Sequence, residues 1–235
     1  MAMRPLRLRD VEAITFDCYG TLIDWEGGAK QTLERLLAEA APPSEALPEH
    51  VLDGFFRAWE RAQRVRIQQS YARYREIVAD AFAEAAPTLS GRPLTAAAAR
   101  AFADSIATWK PFPDVPAALA ALKGRVRLGI ISNIDDDILA ASVQKMGVEF
   151  DLLVTAEQVQ AYKPSPLPFA RALEQLRLPA ARVAHAAFGF EYDIVTASEL
   201  GFRTILVRRT RSKFPDTPVP DLLVADLTEL AAQFG

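Results

Sequence analysis

The sequence predicts an α/β fold: a parallel sheet covered by helices on both faces, with a helical module inserted after the first strand. Three observations carry this. Six short apolar runs have the length and composition of buried strands: Ala13 to Cys18, Arg127 to Ser132, Asp151 to Thr155, Val183 to Phe188, Arg203 to Val207 and Leu222 to Val224. After the first of them, helical patterns alternate with the rest, as parallel strands with helical crossovers require. Between Asp24 and Trp109 strand signals vanish, and apolar residues recur at helical spacing instead.

In chain order, the first run ends abruptly in a carboxylate, Asp17, with Gly20 and Thr21 close behind. The inserted module carries three stripes: Val51, Phe55, Trp59, Ala62 and Val65; then Tyr74, Ile77, Val78, Ala81 and Phe82; then Ala99, Phe102 and Ile106. Proline-bearing stretches, Ala41-Pro42-Pro43-Ser44 and Gly91-Arg92-Pro93, lie between them. Beyond the module, Asp114 caps a helix with Pro116 in its first turn, Leu119 and Leu122 facing inward, and Gly124 closing it. Ile138, Leu139, Val143 and Met146 form one face of the next helix. Ser165-Pro166 opens another, which carries Phe169, Ala172, Leu173 and Leu176, and Thr196 to Leu200 ends at Gly201. The boundaries place a core in 1–23 and 110–235 and the helical module in 24–109.

Bulk composition narrows the function classes. Half of the 235 residues are hydrophobic and 24% are charged, the balance of a soluble globular protein. A net charge of -3 favours neither nucleic acid nor an acidic membrane surface as partner. One cysteine, Cys18, excludes an internal disulfide and a multi-cysteine metal site. Strand alternation turns it away from Asp17, as an inert buried thiol. No apolar run reaches membrane-span length and the opening residues hold no signal-peptide core, so the cytoplasm is the expected location.

An acid at the carboxyl end of a buried strand costs free energy unless it is paired or used. In open α/β sheets that end is where ligands bind. Asp17 is therefore a candidate nucleophile, with Gly20 allowing a sharp turn and Thr21 offering a hydroxyl beside it. A second strand ends in Ser132-Asn133, whose hydroxyl and amide suit a substrate carboxylate or phosphoryl oxygen, or else a helix N-cap. Asp135, Asp136 and Asp137 then favour the first turn of the following helix rather than a metal. Asp193 either positions a reacting group or caps its helix. The two histidines, His50 and His185, show no partner spacing for a metal or a triad.

The segment Asp17-Cys18-Tyr19-Gly20-Thr21-Leu22 resembles the first motif of the haloacid dehalogenase superfamily, in which an aspartate attacks phosphorus or carbon. Ser132-Asn133, Lys163-Pro164 and Asp193 follow in the order of that superfamily's later landmarks. The resemblance implies a Rossmann-like core with an inserted helical cap, Asp17 as nucleophile, Lys163 pairing with it to hold it ionised, and Asp193 bonding Lys163 or positioning water. Tyr19 stands where phosphatases carry a second aspartate and 2-haloacid dehalogenases carry tyrosine. Phe188 stands where phosphatases carry a direct Mg²⁺ ligand. Gly189 and Phe190 replace the small polar residues that dehalogenases keep at this strand end.

The resemblance thus implies a metal-independent, cofactor-free hydrolase like the (S)-2-haloacid dehalogenases. It would displace halide from a small 2-halocarboxylic acid through an aspartyl ester. Asp17, Lys163 and Asp193 would be catalytic; Tyr19, Thr21, Ser132, Asn133 and Arg57 would bind substrate. Arg57 is chosen among Arg57, Arg61, Arg64, Arg66, Arg73 and Arg75 as the halide-holding arginine for its place after Phe56. The alternatives are a Mg²⁺-dependent phosphatase of the same superfamily and a catalytically weakened binding protein. The expected partner is a small-molecule substrate, with a homodimer through cap or core helices left open.

Overall fold

The computed structural model describes residues 10–40, 48–89, 94–209 and 214–234. The stretches Ala41-Pro42-Pro43-Ser44 and Gly91-Arg92-Pro93 lie outside them. The chain divides into two compact units, one of Met1–Asp24 with Lys110–Gly235 and one of Trp25–Trp109.

The first unit opens with β1 (Ala13–Phe16). The second unit is helical: α1 (Trp25–Ala40), α2 (Glu49–Ile67), α3 (Tyr74–Ala85) and α4 (Ala96–Ser105). The first unit then resumes with α5 (Val115–Leu122), β2 (Arg127–Ser132), α6 (Asp136–Met146) and β3 (Leu152–Thr155). It continues through α7 (Ala156–Val159), α8 (Leu167–Leu176), β4 (Val183–Ala187), a π-helical turn at Phe190–Ile194 and α9 (Val195–Glu199). It ends with β5 (Arg203–Val207), β6 (Leu222–Val224) and α10 (Leu227–Ala232).

All six expected strands form, and all pair in parallel in the order β3-β2-β1-β4-β5-β6. β1 is shorter than its apolar run because the chain turns directly after it. The Asp17 N–H still bonds the Ala186 carbonyl, but the Cys18 carbonyl then accepts from the N–H groups of Thr21, Leu22 and Ile23. Gly20, at φ 98°, supplies the left-handed residue this loop needs. One face of the sheet is sealed by Phe169, Ala172 and Leu176 of α8 and by Ala197 and Phe202, packed on Ile131, Val154 and Val183. The strand order reverses direction at β1, so the switch point of the sheet, where ligands bind in such folds, falls at the carboxyl ends of β1, β2 and β4.

The helical unit is built on edge-to-face aromatics: Phe55 on Phe82, Trp59 on Phe102 and Phe102 on Trp109. Gly28 of α1 is required by packing, because a Cβ there would overlap the Trp109 ring. The expected stripe on α2 needs one correction. Val65 is 54% exposed while Gln63 is buried and accepts from the Tyr74 hydroxyl at 2.8 Å. At 3.6 residues per turn, position 65 lies about 120° from the stripe centred on Trp59, whereas 52, 55, 62 and 63 lie within about 60°. α1, which buries Ala29, Leu33, Leu36 and Leu37, was not among the expected stripes. Among the described residues no helix is long and apolar enough to cross a membrane.

Candidate active site

The first unit gathers four sequence-distant groups at the switch point. Asp17 follows β1, Ser132 ends β2, Lys163 lies between α7 and α8, and Asp193 sits on the π-helical turn after β4. The Lys163 ammonium, 2% exposed, is the centre. It donates to Asp17 Oδ1 at 2.9 Å, to Asp193 Oδ1 at 2.5 Å and to the Ile131 carbonyl at 2.9 Å. All three ammonium hydrogens are thereby used, which makes burial of the cation tolerable.

Each carboxylate has a second, private partner. Thr21 Oγ1 donates to Asp17 Oδ2 at 2.8 Å and accepts the Phe188 N–H at 2.8 Å. His185 Nε2 lies 3.0 Å from Asp193 Oδ1, and its Nδ1 lies 2.9 Å from Thr15 Oγ1. His185 is fully buried on β4, in register with Thr15 on β1. A lone pair on Nε2 would face an anion, so Nε2 carries a proton directed at Asp193.

Two carboxylates share one ammonium, and their surroundings drive their acidities apart. Burial pushes Asp17 up; the Lys163 charge opposes this, the Asp193 charge adds to it, and the carboxyl ends above its ordinary value. Burial also pushes Asp193 up, but the Lys163 charge and the hydrogen bond and charge of His185 outweigh it, and this carboxyl ends below its ordinary value. Burial lowers Lys163, and the two carboxylates more than reverse that. The expectation that Lys163 would depress Asp17 is thus corrected: burial leads, and the ammonium is divided between two acids. The Cys18 thiol is pushed well up by burial and then by Asp17, which keeps it inert.

The remaining expected residues fall as follows. Ser132 is buried at the end of β2, and its hydroxyl makes no hydrogen bond to another described residue. Asn133 instead clasps the lysine loop: Oδ1 accepts the Lys163 N–H at 2.7 Å and Nδ2 donates to the Lys163 carbonyl at 3.0 Å. These two bonds position the lysine loop and leave one Asn133 amide hydrogen unused. The Tyr19 hydroxyl lies 2.9 Å from Ser142 Oγ. Arg57 stands on the solvent-exposed side of α2 in the helical unit. Asp114, expected to cap α5, makes no side-chain cap there. Its carboxylate takes Arg209 Nη1 at 2.8 Å and the N–H of Leu227, the first residue of α10, at 2.9 Å.

Two contributors carry no motif in the sequence. His185 shows no partner spacing because strand register and the π-turn bring its partners in; its one local signal is a polar residue within a buried apolar strand. Arg209 was not singled out. Its Nε and Nη2 donate to the Thr21 carbonyl at 3.0 and 2.8 Å, and its guanidinium lies 4.2 Å from the Phe112 ring centroid.

A divalent cation does not fit this donor set. Phe188 offers no ligand, Asp193 Oδ1 is occupied by Lys163 and His185, and a metal beside them would face an ammonium. Among the described residues, no group of three or more His, Cys, Asp or Glu could hold a metal ion.

Four similarities bear on this arrangement. A family model described as haloacid dehalogenase-like hydrolase matches residues 11–186. The haloacetate dehalogenase H-2 of Moraxella sp. (strain B) is 26% identical over 222 residues, covering 91% of this chain and 95% of that protein. A pyrimidine 5'-nucleotidase of Escherichia coli (strain K12) is 31% identical over 123 residues, 51% of this chain and 55% of its own. The crystal structure of a defluorinating L-2-haloacid dehalogenase superposes with a TM-score of 0.82 at 21% identity, covering 98% of this chain and 99% of that one.

Proposed function

The chain belongs to the haloacid dehalogenase-like hydrolases, and on that premise we propose that it displaces halide from a small 2-halocarboxylic acid without a metal. The observation that carries this reading is the ion triad, in which one buried ammonium holds Asp17 and Asp193, beside Phe188 where a metal-binding site would need a carboxylate. A carboxylate oxygen of Asp17 attacks the carbon bearing halogen. A C–O bond forms, the C–X bond breaks, and halide leaves with the electron pair. Water then adds to the carbonyl carbon of the aspartyl ester. Asp193 takes one proton, the expelled alkoxide recovers it as the 2-hydroxy acid, and the second proton goes to solvent with the halide.

The pieces divide the work by chemistry. Lys163 neutralises charge as it develops, and Thr21 fixes the Asp17 carboxyl plane. The open hydroxyl of Ser132 suits the substrate carboxylate, with the spare amide hydrogen of Asn133 beside it. Tyr19 adds an aromatic wall. Arg57 is the candidate to receive the halide. Burial of Asp17 strips water from the nucleophile, which strengthens its attack on carbon.

A Mg²⁺-dependent phosphatase is the second reading, favoured by the nucleotidase similarity and opposed by Phe188 and Tyr19. The experiment is halide release from chloroacetate, bromoacetate, fluoroacetate and 2-chloropropionate in EDTA, set against a generic phosphate ester with and without Mg²⁺. Release in EDTA supports the dehalogenase; strictly Mg²⁺-dependent ester turnover overturns it. No turnover of either kind leaves the binding-protein reading.

A further inference from the structure

His185 is a buried ionisable side chain that the steps above do not use, and its surroundings are specific. Its Nε2 addresses the same Asp193 oxygen that Lys163 holds. Its Nδ1 is tied to Thr15 on the neighbouring strand, and its ring edge packs on Phe169 at 5.1 Å between centroids. The ring is therefore fixed on three sides: by strand register, by α8 and by the π-turn. Asp193 Oδ1 carries both donors, while Oδ2 accepts from no described residue and lies over Gly189, where a Cβ would overlap it.

We propose that His185 is a positioning residue for the ester-cleaving half of the reaction: its Nε2–H pins Asp193 Oδ1 against Lys163 and so presents Oδ2 to the hydrolytic water. The proposal rests on the aspartyl-ester reading and adds a division of labour to it. The Thr21 bond prepares Asp17 for alkylation, and the His185 bond prepares Asp193 for deprotonating water. Without His185, the Asp193 carboxylate keeps Lys163 but is free to rotate about its Cβ–Cγ bond, and the water loses its base. Alkylation, which needs Asp17, Lys163 and Thr21, proceeds.

The test uses the full chain with 2-chloropropionate. His185→Phe keeps the ring contact with Phe169 and removes both ring nitrogens. His185→Gln places an amide donor near the Nε2 position, and His185→Asn reaches only toward Thr15. The expected result for the phenylalanine variant is a rapid first turnover of halide, a steady-state rate down about tenfold or more, and an Asp17-linked adduct accumulating by mass spectrometry. Glutamine restores much of the steady-state rate and asparagine does not. Where the phenylalanine variant fails to fold, the glutamine–asparagine difference decides. An unchanged steady-state rate in the phenylalanine variant, or equal loss in both amide variants without adduct, overturns the proposal alone. If the wild type releases no halide from any of the four haloacids, the dehalogenase reading fails and this inference fails with it.

Discussion

Gly189 leaves room for Asp193: a Cβ built on Gly189 would overlap Asp193 Oδ2, although the backbone there, at φ -69°, suits any residue. The glycine is required by the carboxylate and not by the chain. Gly189→Ala must move the carboxylate, which Lys163 and His185 hold through Oδ1. We expect kcat to fall about 100-fold, the scale for a displacement of about 1 Å at a reacting group, with far-ultraviolet circular dichroism unchanged. Steady-state kinetics and circular dichroism on the variant check this.

Two buried carboxylates, Asp17 and Asp193, share the single ammonium of Lys163. Because Asp17 sits above its ordinary value in the fold, its ionised form weakens the folded state as pH rises through that raised value. Asp17→Asn removes one of the two carboxylates and leaves Lys163 paired with Asp193. Halide release should therefore drop by about 10³-fold or more while the thermal midpoint at neutral pH holds or rises. Calorimetry beside the activity assay reads both. For the wild type, the same shift puts the acid limb of kcat/KM above the ordinary aspartate value of about 3.9.

Lys163→Met leaves two buried carboxylates facing each other without a cation. The expected loss is about 3–5 kcal/mol at neutral pH. Removing the ammonium raises both carboxyl values in the fold, so stability returns as pH falls through them and the acids take protons. Urea denaturation at two pH values, one near 5 and one near 8, measures the difference; the variant should be relatively stronger at the lower one.

Arg209 and Asp114 form a largely buried ion pair that ties the Thr21 carbonyl to the amino end of α10. Burial raises the Asp114 carboxyl, but the bonds from Arg209 and the Leu227 N–H bring it below its ordinary value. Its stabilising contribution is present above the ordinary aspartate range and is lost as pH falls through the depressed value. Arg209→Met should cost about 3–5 kcal/mol and lower kcat by loosening Thr21 beneath Asp17, whereas Arg171→Met, at an exposed i,i+3 pair, should cost under about 0.5 kcal/mol. Chemical denaturation of the two variants compares them directly.

The sheet was legible because buried parallel strands are short, apolar and bounded by turns, and the three residues of the triad were legible through their motifs. What the chain does not display locally is register. Thr15 and His185 meet only because β1 and β4 pair in one alignment, and neither residue carries that information alone. Asn133 was legible as a strand-end polar group, but its choice of the Lys163 backbone depends on how the loop before α8 returns to the sheet. Val65 fits the spacing of its neighbours pairwise, but the phase of α2 as a whole, set by Leu52, Phe55, Trp59 and Gln63, turns it to solvent. Asp114 sits where a cap belongs, yet the stronger attraction of a buried guanidinium drew its carboxylate away.

The account turns on a covalent bond to Asp17, and acid-quenched mass spectrometry of the protein mixed with 2-chloropropionate measures it. The prediction is a peptide containing Asp17 heavier by one substrate less halide, formed in EDTA and absent in Asp17→Asn. Halide released at full rate with Asp17→Asn, or an adduct carried on any other residue, would contradict it.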